Sequence, residues 1–501
     1  MHLLGLDVGT TGCKAIVFDL EGNIKGYGFH EYDVICEKPG LAEQSSEQVW
    51  ELTKYVIRKA VHESGVSDIG ALSLSVQGDA VIPVDINIKP LHNSLLGMDY
   101  RTISESQYCN ELMNGRSLFD RTGMRPHPMN SLTKILWFKN NAPEIYKNTY
   151  KFMTYADFIL AKLGAEPVID YTMASRTMAF DLRLKQWSDD ILSRVDLDSK
   201  QLSKAVPSGE IVGKLKSGLA SELGLRSGVL LVSGGHDQTC AALGAGVIKE
   251  NIAIDSHGTA EVLSTAFNDL MVNDKMFESY YPCYCHVKKG MYFTFALNHI
   301  GGILFKWYRD NLGYVEVQEA NKLGKDPYDV MISRLSKEPS SIMVLPHFNG
   351  SGTPWCDLES KGAILGLTMS TKREDIVKGI LESLTYELRI NIDAMKDAGV
   401  KINELRTVGG AAKSSMWMQI KSDITGCKVA TLKIREAACL GAAILAGSAV
   451  GGYSSLDEGV ESTVELRSVY EPDEKMHGLY DDKYTIYKDI YGALKDINRR
   501  I

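Results

Sequence analysis

Short apolar runs separated by turn-forming residues open the chain. Leu3–Val8 is mostly apolar and carries one carboxylate, Asp7, near its end; a second run covers 14–19, and a third, 24–32, follows a Glu-Gly-Asn turn. Runs of this length with turn residues between them are typical of β-strands. We therefore predict that the chain begins with an antiparallel meander of three strands.

The spacing of apolar positions then becomes helical. Ser45 and Gln48 are placed as a capping box, and the apolar residues at 49, 52, 56, 57 and 60 share one face of a helix that ends near Gly65. The next run, IGALSLSV at 69–76, has the composition of a buried strand. Meander, helix and strand in this order indicate an α/β lobe whose helices cover a sheet.

A stretch in the middle of the chain, NIAIDSHGTAEVLSTAF, repeats the opening in outline. It has a strand ending near Asp255, a Gly-Thr turn at Gly258 and Thr259, and a second apolar strand. An Asp-x-x-Gly-Thr match alone is weak evidence for a repeat. Its position near the middle of the chain strengthens it, because a duplicated lobe would place the second copy there. We predict an α/β protein with two lobes built on the same plan, residues 1–246 and residues 247–501.

The second half continues with patterns that fit this plan. A helix is predicted from about Arg373 to Lys396, and ELRTVGGAAKSSMWMQIKSDITG reads as a strand, a glycine turn and a helix, a unit suited to holding a nucleotide. Near the end, one helical stripe is formed by Tyr484, Tyr487, Tyr491 and Leu494. We interpret this stripe as a packing face.

Composition and charge exclude several classes of partner. The 501 residues are 44% hydrophobic and 24% charged with a net charge of -8, so nothing attracts the whole chain to nucleic acid or to an anionic membrane. No run approaches the roughly 20 apolar residues that span a bilayer, and the start lacks the basic segment of a signal peptide. Nine scattered cysteines fit reduced thiols. We expect a cytoplasmic protein.

The first turn carries the parts of a phosphate site. Gly9 and Gly12 allow close approach of the backbone, Thr10 and Thr11 add donors, and Lys14 adds a positive charge. The carboxylate at position 7 fits this interpretation only if a divalent cation separates it from the phosphates. The alternative is a plain β-hairpin whose acidic residue is a solvated strand end. Neither a P-loop motif nor a dinucleotide-binding glycine motif occurs in the chain.

A second carboxylate follows an apolar strand in LLVSGGHDQTCAALGAG. Asp237 lies beside two glycines that leave room for a substrate, a placement that suits a general base. The alternative is that Asp237 only caps the following helix, and both roles are compatible. The small residues after it predict a helix that packs closely against another element.

Several segments occur in the order seen in the FGGY family of carbohydrate kinases, which the chain resembles from Leu3 to about Gly447. They are DVGTTGCK, MNSLTKILWFKNN, DYTMASRT, GGHDQ, DSHGTAE, GAILGLTMSTKREDIVKGILE, GGAAKSSMWMQIKSDITG and EAACLGAAILAG. MNSLTKILWFKNN agrees with the first family signature. The second signature agrees up to Gly379, where Ala or Ser is usual.

The resemblance implies a two-lobed fold of the actin, hexokinase and Hsp70 type, which is ribonuclease H-like, with a central cleft that binds Mg²⁺, ATP and a sugar. It implies that Asp7 and Asp237 belong to the Mg²⁺ site and that Asp237 is the catalytic base. The nucleotide would be held by residues on the two turns and beyond them, namely Thr10, Thr11, Lys14, Gly258, Thr259, Gly302, Gly410 and Ser414.

The acceptor pocket implied by the resemblance lies in the first lobe. Its candidate residues are Gln77, Asp79, Asp99, Arg101 and Gln238. Carboxylates and amides suit the recognition of several hydroxyls, although each of these residues also has an ordinary interpretation as a polar loop residue. Xylulokinases typically carry Gln-Met-His and glycerol kinases Gln-Arg-Glu where this chain has Gln-Gly-Asp, while the Gly-His-Asp-Gln stretch is more like ketose kinases.

The sequence therefore predicts ATP-dependent phosphorylation of a small sugar, with a ketopentose such as xylulose as first choice. Glycerol, a sugar alcohol or an aldonate is the alternative within the family. An actin-like or Hsp70-like ATPase switch without a metabolite substrate is the alternative from another class, and a sugar sensor is a third. The resemblance also admits a homodimer.

Overall fold

The computed structural model describes residues 1–434 and 436–501. Two seven-stranded mixed sheets, one in each half of the chain, form its framework. No helix within these ranges combines the length and apolar character needed to cross a bilayer.

The first half contains fifteen strands, ten α-helices and a 3₁₀ helix at Ser199–Gln201 among the described residues. The strands are β1 His2–Val8, β2 Gly12–Phe18, β3 Ile24–Glu31, β4 Glu43–Gln44, β5 Ile69–Val76, β6 Ile82–Val84, β7 Ser94–Leu95, β8 Lys151–Met153, β9 Val168–Asp170, β10 Phe180–Asp181, β11 Gln186–Trp187, β12 Lys204–Val206, β13 Ile211–Lys214, β14 Leu230–Val232 and β15 Gly235–His236. The helices are α1 Ser46–Ser64, α2 Ile103–Met113, α3 Gly115–Thr122, α4 Ser131–Asn141, α5 Pro143–Asn148, α6 Tyr155–Leu163, α7 Tyr171–Arg176, α8 Asp189–Arg194, α9 Ser217–Leu223 and α10 Asp237–Gly244.

The second half contains nine strands, nine α-helices and a 3₁₀ helix at Ala411–Lys413 among the described residues. The strands are β16 Asn251–His257, β17 Glu261–Phe267, β18 Tyr284–Cys285, β19 Tyr292–Asn298, β20 Met343–Leu345, β21 Ala363–Leu365, β22 Ile402–Gly409, β23 Lys428–Leu432 and β24 Leu466–Tyr470. The helices are α11 Asp274–Glu278, α12 Gly302–Asn311, α13 Tyr314–Leu323, α14 Pro327–Ile332, α15 Arg373–Asp397, α16 Ser415–Thr425, α17 Ala437–Ala449, α18 Leu456–Thr463 and α19 Glu474–Asn498.

The first sheet confirms the predicted opening. Its order is β13-β14-β5-β1-β2-β3, with β15 also paired to β5, and β1, β2 and β3 form the antiparallel meander. Helix α1 begins where the sequence predicts, because the Ser45 side chain accepts a hydrogen bond from the Gln48 amide, and it ends at Gly65 in the left-handed conformation. β1, β5, β14 and β15 run parallel, so their carboxyl ends meet at one edge.

The second sheet repeats this plan. Its order is β18-β19-β17-β16-β22-β23-β24, in which β16 pairs antiparallel with β17 and parallel with β22. Asp255 of β16 lies opposite Thr407 of β22, just as Asp7 of β1 lies opposite Ser75 of β5. In both places the hydroxyl donates a hydrogen bond to the carboxylate. The internal repeat read from the sequence is therefore a repeat of structure.

Helices α10 and α17 join the two sheets. Leu440 and Ala443 of α17 belong to a core with strands of the first sheet, whereas Ala242 of α10 belongs to a core with strands of the second. The two helices approach so closely that a Cβ atom on Gly441 would lie 1.9 Å from the carbonyl oxygen of Cys240. This confirms the prediction that the small residues after Asp237 pack tightly. The division of the chain at residue 246 stays a prediction.

The C-terminal tyrosine stripe is a packing face, as the sequence indicates. Tyr480, Tyr484 and Tyr487 of α19 are buried with Tyr386 of α15 in one cluster. The hydroxyls of the three α19 tyrosines are satisfied: that of Tyr487, for example, donates to Glu387 at 2.9 Å. Helix α19 therefore packs on α15 through this stripe.

Candidate active site

Asp7 lies at the edge where the parallel strands of the first sheet end. Its neighbours are Lys14 across the antiparallel pair and Ser75 across the parallel pair, and Ser75 Oγ donates to Asp7 Oδ1 at 2.7 Å. Burial raises the pKa of Asp7, and this outweighs the lowering by the Ser75 hydrogen bond and by the Lys14 charge. Within the described ranges no cationic side chain lies within 4.0 Å of the Asp7 carboxylate.

The turn between β1 and β2 is held by hydrogen bonds from the side-chain amides of Gln77 and Gln44. Gln77 is 3% exposed, and its Nε2 donates to the Gly9 carbonyl at 3.2 Å and to Gln44 Oε1 at 3.1 Å. Thr10 Oγ1 donates to Gln77 Oε1 at 3.1 Å, whereas the side chain of Thr11 is exposed. The structure thus places Gln77 as a support of the predicted phosphate turn, and its contact with a sugar stays a prediction.

Lys14 forms an ion pair with a residue from the other end of the chain. Its Nζ lies 2.7 Å from Glu436 Oε2, just before helix α17. Burial would lower the pKa of Lys14, but the hydrogen bond and charge of Glu436 raise it, so the ammonium stays protonated. Nothing in the sequence links the two residues, because 421 positions separate them.

Asp237 lies at the same edge as Asp7. Gly235 of β15 pairs opposite Ser75 of β5, so β1, β5 and β15 end side by side. Asp237 is the first residue of α10, and the capping position belongs to His236, so Asp237 does not cap the helix as the alternative interpretation had it. Burial and the charge of Asp7 raise the pKa of Asp237 to about 7, against the effect of Arg176. Its side chain remains 34% exposed.

A buried ion pair forms the wall beside Asp237. Arg176 Nε lies 3.1 Å from Asp79 Oδ1 and Nη2 lies 2.5 Å from Oδ2, and both residues are 3% exposed. A Cβ atom on Gly78 would lie 2.8 Å from Arg176 Nε and 2.8 Å from His236 Nε2. The glycine is therefore required by the close approach of these two side chains.

The segment Asp170–Thr177 orients this wall. Asp170 accepts hydrogen bonds from the Thr172 amide at 2.9 Å and its hydroxyl at 2.5 Å, and that hydroxyl in turn accepts from the His236 amide at 2.7 Å. His236 Nε2 lies 3.1 Å from Asp237 Oδ1. Burial and the charge of Arg176 lower the pKa of His236 well below its usual range, so its ring is neutral.

The other candidates for sugar contact are engaged in different ways. Asp99 is 0% exposed and accepts from the Ala42 amide at 2.7 Å and from Arg101 Nε at 2.9 Å. Arg101 also donates to Glu43 Oε1 at 2.7 Å. Gln238 is partly exposed beside the candidate base, in the first turn of α10. The sugar contacts of Asp99, Arg101 and Gln238 stay predictions.

Three loops of the second half converge at the end of β16. The Gly302 amide donates to the Gly258 carbonyl at 2.8 Å, and the Gly301 amide donates to the Thr259 carbonyl at 2.8 Å. The Gly410 amide donates to the carbonyl of His257, the last residue of β16, at 3.1 Å. The structure therefore brings together four of the five nucleotide candidates of this half.

Ser414, the fifth candidate, lies at the start of α16. It caps this helix, with its Oγ accepting from the Trp417 amide at 3.2 Å. A helix N-terminus carries a partial positive charge and suits a nearby anion. Its part in nucleotide binding stays a prediction.

A buried network that the sequence analysis did not identify lies beneath these loops. Lys421 of α16 is 0% exposed and contacts Asp255 Oδ2, Glu261 Oε1 at 2.6 Å and His257 Nδ1 at 3.3 Å. Burial would raise the pKa of Glu261, but Lys421 and His257 together lower it. Asp255, His257 and Glu261 have the spacing of a metal site, and the ammonium of Lys421 contacts all three.

The sequence analysis missed Arg176, His236, Glu436 and Lys421 as site residues. Lys421 had a signal, because it falls on the buried face of a helix where a lysine needs a partner. His236 had one as well, because it directly precedes Asp237 in the Gly-His-Asp-Gln stretch. The spacing along the chain gave none for Arg176 and Glu436, since their partners Asp79 and Lys14 are distant in sequence.

Models of one family match nearly all of the chain. The model described as the FGGY family of carbohydrate kinases, N-terminal domain, matches residues 2–244, and that of the C-terminal domain of the same family matches residues 256–450.

Curated relatives act on different acceptors, according to their names. Glycerol kinase 2 of Sulfolobus acidocaldarius is 31% identical over 100% of this chain and 97% of its own. A gluconokinase of Bacillus subtilis is 29% identical over 91% of this chain and 89% of its own. A xylulose kinase of Staphylococcus epidermidis is 27% identical over 99% of this chain and 97% of its own.

Solved structures share the whole architecture. A ligand-bound xylulose kinase from Lactobacillus acidophilus superposes with a TM-score of 0.89 at 24% identity, covering 99% of this chain and 98% of that one. Plasmodium falciparum glycerol kinase with ADP gives a TM-score of 0.86 at 22% identity and covers 97% of both chains. These similarities confirm the two-lobed fold predicted from the sequence.

Proposed function

Because the chain belongs to the FGGY family of carbohydrate kinases, we propose that it transfers the γ-phosphoryl group of ATP to a hydroxyl of a small ketose, with Asp237 as the general base. The observation that carries this proposal is the position of Asp237. It lies at the same sheet edge as Asp7, is partly exposed, and has a pKa raised to about 7.

A base in this position accepts the proton of the attacking hydroxyl. Phosphoryl transfer requires mainly positioning and charge neutralisation, and the base acts as the hydroxyl oxygen bonds to phosphorus. The helix start at Asp237 and the contact with His236 fix the direction of the carboxylate. With a pKa near neutrality, the Asp237 carboxylate binds a proton well enough to act as a base, while part of it remains ionised and able to accept the proton.

The residues at this edge fit Mg²⁺ and ATP. Asp7 and Asp237 lie at the same sheet edge, and the charge of Asp7 disfavours the ionised form of Asp237, an arrangement that a divalent cation stabilises. When bound, the ion would neutralise phosphate charge. Lys14 and the amides of the first turn would face the phosphates, and the three converging glycine loops with the start of α16 would hold the rest of the nucleotide.

A ketose such as xylulose is the first candidate acceptor. Support comes from the Gly-His-Asp-Gln stretch and from xylulose kinases among both the relatives and the solved structures. Glycerol and gluconate kinases of comparable identity make glycerol, a sugar alcohol or an aldonate the alternatives.

The test is acceptor-stimulated release of ADP from Mg²⁺-ATP by the purified protein. We expect xylulose or another member of a panel of ketoses, polyols and aldonates to stimulate release, with a phosphorylated product detectable by mass spectrometry. Asp237→Asn should lower this stimulated rate by about 10²–10⁴-fold, the usual contribution of a general base. Full activity of that variant would reject Asp237 as the base, and ADP release without phosphorylated product would favour an ATPase switch.

A further inference from the structure

We propose that the acceptor is an uncharged sugar or polyol and that sugar acids are rejected, because each cation that contacts the candidate acceptor residues, within 1–434 and 436–501, already has a carboxylate or backbone partner in the protein. This inference rests on the proposed function, since it names the substrate class of the same site. It separates this chain from the gluconate-specific activity in the name of one of its relatives.

Arg176 belongs to the wall beside the candidate base. Its guanidinium holds Asp79 by two hydrogen bonds, of 3.1 Å and 2.5 Å, so the pair is neutral as a unit. Both side chains are 3% exposed. Arg176 Nη1 has no partner among the described residues. A substrate hydroxyl could accept from Nη1 without adding charge, whereas a substrate carboxylate would compete with Asp79 for the one positive charge of the pair.

Two further cations lie behind this wall. Arg101 is held by Asp99 and Glu43, with Nη2 at 2.8 Å and 2.7 Å from their oxygens. The ammonium of Lys134 is 0% exposed and donates to the backbone carbonyls of Pro128 at 3.2 Å and Met129 at 2.5 Å. These bonds hold both side chains in place, and both are nearly or fully buried, Arg101 at 8% and Lys134 at 0% exposed.

The cations at the edges of the site are also engaged. Lys14 is paired with Glu436 at 2.7 Å. Arg125 stacks on the rings of Phe277 and Tyr280, and its described hydrogen bond goes to the Phe277 carbonyl. Among the contacts of the described residues, none joins Arg125 to the candidate acceptor residues.

The two carboxylates at the sheet edge bring no cation to this wall. Among the described side chains, Asp7 accepts only from Ser75, and Asp237 contacts His236. In the proposed function both carboxylates hold Mg²⁺, so a sugar acid would bring a further carboxylate to a wall whose cations already have partners. Burying such a group without a cationic partner opposes binding through desolvation. A hydroxyl in the same place does not carry this penalty.

Matched acceptors test this directly on the wild-type protein. D-Glucitol and D-gluconate, xylitol and D-xylonate, and glycerol and glycerate each differ only in one oxidised terminal carbon. D-Xylulose completes the panel. In every pair of which the protein phosphorylates at least one member, we expect kcat/KM for the neutral compound to exceed kcat/KM for its acid by at least about 100-fold. An acid that is used as well as its neutral partner, or better, would overturn the inference and leave the proposed kinase function intact.

A variant then tests the structural cause. Asp79→Asn keeps an acceptor oxygen for Arg176 but frees its positive charge, so the ratio between neutral and acid acceptors should fall at least about tenfold. Glu404→Gln is the matched control. It also removes one negative charge beside an arginine, because Glu404 Oε1 lies 3.0 Å from Arg406 Nε, but this pair lies in the second sheet. We expect this control to leave the ratio unchanged.

The outcomes separate the two proposals. If Asp79→Asn leaves the ratio of kcat/KM between neutral and acid acceptors at the wild-type value, the Asp79–Arg176 pair is not the cause of the selectivity. Phosphorylation of none of the seven compounds, with ADP release unstimulated, would instead count against the proposed kinase function itself.

Discussion

Asp7 and Asp237 lie at the ends of two strands that flank the same strand, β5, and the negative charge of Asp7 raises the pKa of Asp237. The two strands run parallel to β5 and end at the same sheet edge, so the two carboxylates lie at one edge although 229 positions separate them in the sequence. This relationship joins the predicted metal site to the predicted base.

Asp7→Asn should weaken the response to Mg²⁺. The substitution keeps the hydrogen bond from Ser75 but removes a negative charge that would hold the ion, so the Mg²⁺ concentration giving half-maximal activity should rise at least about tenfold. The measurement is acceptor-stimulated ADP release over a Mg²⁺ titration at fixed ATP. Asp19→Asn serves as control, because Asp19 belongs to the same hairpin but pairs with Lys25 at its far end. An unchanged Mg²⁺ titration would remove Asp7 from the metal site.

Lys14→Met should impair the use of ATP. If the ammonium faces the transferred phosphate, its loss should lower kcat/KM for ATP by about 10²–10³-fold, the usual cost of removing one electrostatic contact to a transition state. Lys14→Arg should recover part of the loss because it restores the charge. Lys25→Met, on neighbouring strand β3, removes a lysine that pairs with Asp19 and should leave ATP kinetics unchanged. Equal kcat/KM in Lys14→Met and wild type would contradict the assignment.

The sequence was sufficient to predict the scaffold around this site. The runs at 3–8 and 69–76 and the helix starting after Ser45 carry local signals, namely strand-length apolar runs and a side-chain cap, and each forms where it was expected. The repeat at Asp255 was also readable, because the same turn recurs with the same flanking strands. Local patterns of this kind depend on neighbours in the chain.

Side-chain partners could not be read in the same way. The sequence made Asp79 a candidate for sugar contact, with an ordinary polar loop residue as the alternative, and gave no sign of its buried pair with Arg176, which lies at the end of helix α7. Gln77 likewise supports the phosphate turn through Gln44 and Gly9. Such contacts join residues far apart in the chain, and a pattern along one sequence carries no signal for them.

Lys421→Met should destabilise the protein strongly. The ammonium is the partner of two buried carboxylates, Asp255 and Glu261, and removing one member of such a buried group typically costs about 3–5 kcal/mol. We expect the free energy of unfolding, measured in urea, to fall by this amount. KM for ATP should also rise in the protein that remains folded, because His257 and Glu261 flank the Gly258–Ala260 turn.

A triple variant tests the cause of this loss. Asp255→Asn, Glu261→Gln and Lys421→Met combined remove the ammonium together with both buried carboxylates, so most of the lost stability should return. Lys421→Met with wild-type stability, or a triple variant less stable than the single one, would contradict the view that the ammonium balances the two carboxylates.

The last prediction concerns the crossing of α10 and α17, where Gly441 and Gly478 provide a matched pair. A Cβ on Gly441 would lie 1.9 Å from the backbone oxygen of Cys240, whereas one on Gly478 in α19 meets nothing within 4 Å. Gly441→Ala should therefore destabilise the protein by about 1–3 kcal/mol or more, because backbone atoms cannot step aside. Gly478→Ala should stabilise it by about 0.5–1 kcal/mol through helix propensity.

Activity gives this comparison a second readout. Asp237 is the first residue of α10, so a shift of that helix away from α17 also moves the candidate base relative to Asp7. We expect Gly441→Ala to lower kcat even under conditions where circular dichroism and urea unfolding show it folded, and Gly478→Ala to leave kcat unchanged. Both substitutions bring the same gain in helix propensity. A difference in kcat or stability between the two variants therefore comes from the close contact at the crossing of α10 and α17. Equal kcat in the two variants would mean that the position of Asp237 does not depend on how closely these helices pack.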